Sequence, residues 1–339
     1  MLKPLLGMLS PAGERARLSV LILHRVVPEP DPIYPEEIDA AFFDRLCRWV
    51  ALLFNVLPLD EAVQRLYSGT LPPRALCISF DDGYADGHDV ALPILLRHRL
   101  CATFFITSGA LEGGCLWNDM VEEAVRRTEH FELDLRDVGL ERYALDSVPL
   151  KRHAIERIDN ALKYLPPPAR NTLAQDIAAR AGVQPSLELM LSHNQLRRLR
   201  RAGMQIGAHT VSHPILAGLP AAQVRQEVVD GKRQLEAILG ETVGLFAYPN
   251  GKWGKDFDAQ AVAIVREAGF EAAFTTDWGS ASRDTHPFLM PRFTPWDRSR
   301  LRFGLRLAAN LRHGAGPASL PPSPGGPVPR ARSHTTLPE

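Results

Sequence analysis

The sequence predicts an α/β fold built on a parallel sheet, and three observations lead there. Short apolar runs, largely uncharged, recur along the chain and read as buried strands. Amphipathic helical stretches separate the later runs, which is the alternation that parallel crossovers require. Ionisable or aromatic residues stand directly after five of the runs, where ligand sites lie in parallel α/β folds.

Taken in order, the strand candidates are SVLIL (19–23), ALCISF (75–80), ATFFIT (102–107), MQIGA (204–208), GLFAY (244–248) and EAAFTT (271–276). Residues 220–239 read as a helix with Pro220 in its first turn and Val224, Val228, Leu235, Ile238 and Leu239 on one face. Residues 257–268 place Ala261, Ile264, Val265 and Ala268 at helical spacing and stop at Gly269. LSHNQLRRLRRAG holds Ser192 and Gln195 in capping-box positions, with Gly203 as its stop. Six or seven strands of this kind either close as a barrel or lie open as a doubly wound sheet.

Roughly residues 111–200 interrupt the rhythm; they are charged and mostly helical in pattern, and read as an insertion between two strands rather than a separate domain. The globular part is expected to run over 1–313. Residues 314–339 hold seven prolines and four glycines with few apolar residues, and are expected to be disordered. Just before them, Arg298, Arg302 and Arg306 stack at i, i+4, i+8 within 298–313. That stretch reads as a terminal helix packed on the sheet, with peripheral membrane contact as the alternative.

Composition narrows the function classes. Lys+Arg and Asp+Glu are equal at 39, so no global field favours nucleic acid. Cys47, Cys77, Cys101 and Cys115 show no metal-type spacing; Cys77 and Cys101 sit in apolar runs and read as buried thiols. The first residues form too short and interrupted an apolar patch for a signal-peptide core, and no run approaches a membrane span. The expectation is a cytoplasmic protein; its oligomeric state is not legible.

The residues after the strands carry the chemistry: His24; Asp81 and Asp82; His209 and His213; Tyr248 with Asn250; Asp277 with Trp278. His209 and His213, four apart on one turn of chain, can face a single point, which suits a divalent metal once a carboxylate completes the set. Asp81 and Asp82 supply that carboxylate and leave one spare. Gly83 permits a turn that brings both into one cavity, and a cation lets adjacent carboxylates stay ionised. One can ligate while the other acts as a base.

These residues resemble the polysaccharide deacetylases, carbohydrate esterase family four (the NodB-homology domain), from about His24 to Phe293. SFDDG (79–83) matches the family's first motif and HTVSH (209–213) its second; FAYPNG (246–251) and TTDWG (275–279) look like variants of the third and fourth. The resemblance implies a distorted (β/α) barrel of about seven strands. It further implies Asp81 as general base, and Asp82, His209 and His213 as ligands of a divalent metal, most readily Zn²⁺, with Co²⁺, Mn²⁺ or Ni²⁺ as alternatives. The N–H of Asn250 would steady the oxyanion, and the activity would be removal of N-acetyl groups from an amino-sugar glycan in exopolysaccharide metabolism. Two alternatives are a catalytically silent carbohydrate-binding relative and an amidase acting on small cyclic amides.

The chain departs from the pattern in two places. The arginine expected two residues before Pro249 is Ala247, and Arg292 in LMPRF (289–293) is the candidate to supply that guanidinium from another strand end. No Leu-x-His motif supplies a general acid, which leaves His24 and His286 as candidates. Trp278 is expected to wall the sugar site, and Trp117 with Asp119 to extend the groove at the mouth of the insertion.

Overall fold

The computed structural model describes residues 2–184 and 186–312, together with Leu320. Ten strands are present in that part: β1 (Leu18–Leu23), β2 (Asn55–Val56), β3 (Ala75–Phe80), β4 (Thr103–Ile106), β5 (Glu132–Asp134), β6 (Arg142–Ala144), β7 (Gln205–Ala208), β8 (Leu245–Ala247), β9 (Ala272–Trp278) and β10 (Met290–Arg292). The helices are α1 (Leu2–Leu9), α2 (Ala40–Leu53), α3 (Leu59–Ser68), α4 (Leu92–Arg97), α5 (Trp117–Arg127) and α6 (Val148–Leu162). They continue with α7 (Pro167–Arg180), α8 (His193–Arg201), α9 (Ala221–Leu239), α10 (Ala259–Glu267) and α11 (Arg300–Arg312).

Seven strands run parallel in the order β1-β3-β4-β7-β8-β9-β10, with β2 added beside β3. Phe293, just past β10, donates its N–H to Val20 O at 2.8 Å and accepts from Ile22 N at 3.0 Å, so the sheet nearly closes on β1. The outcome is a distorted (β/α) barrel. Each of the six expected strands is found within two residues of its expected ends; β10, expected only as a further strand end near Arg292, is three residues around a proline.

Barrel closure explains why the strands lack polar alternation: both faces are covered. Leu76, Ile78, Phe80, Phe104 and Ile106 pack outward against the helices, and the Phe80 and Phe104 rings stack at 4.8 Å. Val20, Cys77, Phe105, Ala247, Phe274 and Met290 fill the interior. A Cβ on Gly207 would lie 2.4 Å from the Phe105 ring, so glycine there lets that ring occupy the barrel centre. Because successive side chains alternate, the interior rows continue upward into Ser79 and Asp81 after Cys77, His209 after Gly207, Thr276 and Trp278 after Phe274, and Arg292 after Met290. The same rows that fill the barrel deliver the site.

Ser192 and Gln195 form a capping box at the start of α8. Pro220 is the N-cap of α9 rather than a first-turn residue. The interruption contains an antiparallel β5–β6 hairpin besides its helices, and its apolar residues, Val121, Val125, Leu133, Tyr143, Ile155, Ile158 and Ile177 among them, form a cluster of their own. Its last helix, α8, returns Leu196 and Leu199 to the barrel core. Cys47 and Cys77 are buried, whereas Cys101 is only partly so, and all four cysteines are free.

α11 sends Phe303, Leu307 and Leu311 into the core. Arg298 donates to Glu36 O at 2.6 Å and Arg306 pairs with Asp297 at 3.0 Å, while Arg298 and Arg302 remain exposed. His313 and the segment 314–319 and 321–339, where the disordered tail was expected, lie outside the described residues. Among the described residues no helix is long and apolar enough to cross a membrane.

Candidate active site

At the carboxyl end of β3 the backbone breaks direction. Asp81 N–H still joins the ladder to Leu23 O at 2.9 Å, but Asp82 and Gly83 adopt left-handed φ values of 74° and 95°. That turn puts Asp82 beside Asp81 instead of on the opposite face. A non-glycine residue in this region is strained.

His209 continues β7 inward, and its ring is fixed from behind: Nδ1 lies 2.7 Å from Ala247 O. A carbonyl can only accept, so Nδ1 carries the proton and Nε2 presents its lone pair to the site. His213 is returned by a tight loop in which Thr210 and His213 both have positive φ, 68° and 55°. Glu227 on α9 holds that loop, its carboxylate accepting from Val211 N at 2.9 Å, Ser212 N at 2.8 Å and Ser212 Oγ at 2.6 Å. His213 N–H itself donates to Thr210 Oγ1 at 3.1 Å.

These turns bring one oxygen of Asp82 and one nitrogen each of His209 and His213 within 4.8 Å of one another. Asp82 Oδ1 is 3.4 Å from His209 Nε2 and 3.3 Å from His213 Nε2. The same oxygen is buried without a hydrogen-bond partner among the described residues. Two imidazole nitrogens and an orphaned buried carboxylate oxygen, converging from three directions, fit a divalent cation and leave further coordination positions open.

Asp81 stands apart from that set. The Arg292 guanidinium grips it with two parallel hydrogen bonds, Nη1 to Oδ1 at 2.6 Å and Nη2 to Oδ2 at 2.7 Å, and both side chains are buried. Arg292 is held in turn by Thr275 O, 2.9 Å from Nε, by Ser79 Oγ, 3.3 Å from Nη1, and by the Phe105 ring beneath it. Burial alone would push the Asp81 pKa up; the Arg292 and His209 charges outweigh it and hold the carboxyl below its ordinary value. Burial likewise opposes ionisation of Asp82, and the neighbouring histidines more than offset that. The imidazoles diverge: burial takes His213 down to about 4, while for His209 the two carboxylates overcome burial and raise the value.

Two cavities meet over this centre. One, of about 700 Å³, is walled by Ile22, Thr276, Trp278, Thr294, Trp296 and Arg306; the other, of about 390 Å³, runs under the insertion past Trp117, Asp119 and Arg170. His24, His213 and Asn250 line both. The Asn250 backbone has φ 57°, and its N–H has no acceptor among the described residues. Trp278 is half exposed and stacks on Phe293 at 5.5 Å, with Arg306 5.5 Å from its ring.

Three expected site residues are not brought to the centre. Tyr248 is wholly buried and stacks on Phe257 at 3.8 Å, because the residue after Ala247 points to the outer core. Asp277 faces away from the cavity that its neighbours Thr276 and Trp278 line, and pairs with Lys252 at 3.6 Å. His286 precedes β10, beside Pro287, whose carbonyl accepts from Ala273 at the start of β9. It therefore sits at the opposite end of the barrel from the carboxyl-terminal strand ends, and its Nδ1 accepts from Phe288 N. Sequence reasoning in turn missed Glu227, Trp296 and Arg306. For Glu227 no local signal exists, since its partners lie 15 and 16 residues away.

A family profile described as polysaccharide deacetylase matches residues 68–134 and 153–273, more than half of the chain. YxkH of Bacillus subtilis (strain 168) is 26% identical over 102 residues, which are 30% of this chain; the match spans about a third (35%) of that relative's length. Among solved structures, the Streptococcus pyogenes deacetylase PplD in complex with acetate superposes with a TM-score of 0.56 at 17% identity, over 82% of this chain and 92% of that one. IcaB from Ammonifex degensii gives 0.55 at 18% identity, over 89% and 98%. At these identities the likeness speaks for the fold, while the profile match carries the family. This chain belongs to the polysaccharide deacetylase family.

Proposed function

We propose that the chain is a metal-dependent hydrolase that removes N-acetyl groups from an amino-sugar glycan, with an exopolysaccharide or its precursor as the substrate class. The observation that carries this reading is the division of labour between the two carboxylates. Asp82 faces the imidazole pair, whereas Asp81 is pinned by Arg292 and kept ionised beside it.

Asp82, His209 and His213 would hold the cation, Zn²⁺ by preference. When bound, it would polarise the acetyl carbonyl and make a water acidic enough to react near neutral pH. The remaining work falls to the chain. Asp81 takes the proton of the attacking water, and Arg292 keeps its oxygens oriented and its charge in place. The N–H of Asn250, a residue that lines both cavities and whose N–H has no acceptor among the described residues, would receive the developing oxyanion. His24, lining both cavities, is positioned to return a proton to the departing sugar amine. Trp278 and Trp296 wall the larger cavity and would pack against a pyranose.

A silent binding relative would have no use for an ionised carboxylate held beside the imidazoles by a buried arginine. The two joined cavities form an open groove, which suits a glycan better than a small cyclic amide. The test is acetate release from N-acetylglucosamine oligomers and from acetylated exopolysaccharide, with and without added Zn²⁺ or Co²⁺. Metal-stimulated release is expected; binding of the oligomers without release under any metal would overturn the hydrolase reading.

A further inference from the structure

The arginine-rich stretch around α11 is left unexplained by the deacetylation chemistry. Residues 296–312 carry five arginines and one acid, Asp297. Arg306 pairs with that acid, and Arg298 donates to main-chain carbonyls. Arg300, Arg302 and Arg312 are exposed and make no ion pair among the described residues. Arg300 and Arg302 stand in the first turn of α11, which holds no acid, although the partial positive charge of a helix amino terminus disfavours cations there. Charge alone would describe an ordinary solvated surface; the apolar groups set among these arginines do not.

α11 buries Phe303, Leu307 and Leu311 in the core, yet Leu301 and Leu305, one turn apart on its outward face, are 61% and 48% exposed. Trp296, just before the helix, is 62% exposed. Arg306 ties the aromatic rings to the helix, its guanidinium 5.3 Å from the Trp296 ring and 5.5 Å from that of Trp278. Trp278, Trp296 and Arg306 also wall the larger cavity, so this patch is continuous with the mouth of the groove. Leucines, a tryptophan and unpaired arginines on one exposed surface suit the boundary between lipid headgroups and water. A second copy of this chain is a poor occupant, because a two-fold contact would set the arginines of one copy against those of the other. An acidic polymer would neutralise the arginines but has no use for the leucines.

We infer that α11 and Trp296 form a docking surface for an anionic lipid bilayer. Leu301 and Leu305 enter the headgroup layer, Arg300, Arg302 and Arg312 meet lipid phosphates, and Trp296 lies at the boundary between bilayer and cavity. The larger cavity then opens beside the membrane. Taken with the deacetylase reading, on which this last step rests, the substrate presented there is a glycan still attached to a lipid.

The test is co-sedimentation of the full chain with vesicles of phosphatidylcholine, alone or mixed with phosphatidylglycerol, at low and high salt. Binding is expected to be at least ~10-fold tighter to the anionic vesicles and to weaken in high salt. Arg300→Gln with Arg302→Gln is expected to weaken it ~10–30-fold, and Leu301→Gln with Leu305→Gln by a similar factor. All four side chains are exposed and outside the groove, so melting curves should stay close to that of the wild type and show that the variants fold. A lipid-linked N-acetylglucosamine oligomer in anionic vesicles should release acetate ~10-fold faster than the free oligomer, an advantage that the arginine double variant loses. No binding to anionic vesicles, or unchanged binding by both folded variants, overturns the docking surface and leaves the deacetylase reading untouched. Self-association that the leucine double variant abolishes, or capture by polyglutamate, either of them without vesicle binding, assigns the face to another occupant and overturns it too. Vesicle binding as expected, with no acetate release from free or lipid-linked oligomers, overturns the deacetylase reading alone.

Discussion

Arg292 and Asp81 come from strands on either side of β1, 211 residues apart in sequence, and meet in a two-pronged ion pair wholly out of solvent. A buried pair of this kind is weak evidence for stability, because desolvating two charges offsets most of their attraction; removing one partner, however, strands the other at a cost of about 3–5 kcal/mol. Arg292→Ala is therefore expected to lower the melting temperature markedly. Arg292→Lys is the sharper probe, since it keeps a charge but not the fork. It should slow acetate release ~10–100-fold and move the acid limb of the rate profile upward, because Asp81 then loses part of what holds its pKa down. A lysine variant with a lowered melting temperature but an unmoved acid limb would reduce Arg292 to a structural role.

Asp81→Asn is expected to abolish turnover while Zn²⁺ still binds, whereas His213→Ala should lose the metal. Elemental analysis of the two purified proteins, beside their rates of acetate release, checks both halves. Wild-type turnover in the first variant removes the base assignment; full metal occupancy in the second shows that the ligand set is wrong.

Much of this centre was legible from the sequence because its residues follow apolar runs at once, and strand ends in a parallel fold have one destination. Alternation then separates what the run alone cannot. His209 and Trp278 are in phase with interior residues of their strands, while Tyr248 and Asp277 are out of phase and point to the outer core or to solvent. Asp82 breaks the phase through its left-handed backbone, for which the glycine after it was the only hint. The contacts that no local pattern encodes are the long-range ones: Glu227 under the histidine loop, and Arg170 folded over Trp117 from a different helix.

Glu227 yields a prediction of its own. Its carboxylate ties down Val211 and Ser212 without touching the proposed metal, so it acts through His213. Outer partners of this kind typically alter metal affinity by 10–100-fold. Glu227→Gln can keep at most part of that pattern, since an amide oxygen accepts more weakly than a carboxylate. A Zn²⁺ affinity about tenfold lower is expected by competition with a chromophoric chelator, with the acid limb set by Asp81 unmoved. Unchanged affinity would mean that the loop holds its shape without the glutamate.

The carboxylates and His209 also make opposite pH predictions for the metal-free and metal-loaded protein. His209 has its pKa raised above 6.5 in the folded state, so folding takes up a proton there. The resulting stabilisation is complete below the unfolded value and is lost as pH rises through the raised folded value. Asp159 and Glu37, both pushed up to about 7 by burial, act in the same direction, whereas His213, taken down to about 4, opposes them until pH passes its ordinary value of 6.5. The chelator-treated protein should therefore melt at progressively lower temperature as pH rises from about 6.5 to 8. Metal binding needs His209 neutral, so Zn²⁺ affinity should rise across the same window, and the gap between loaded and metal-free melting temperatures should widen. His209→Asn should flatten the first trend by its share and abolish the second. A gap that is constant or narrows with pH in the wild-type protein would show that His209 does not give up a proton to the metal.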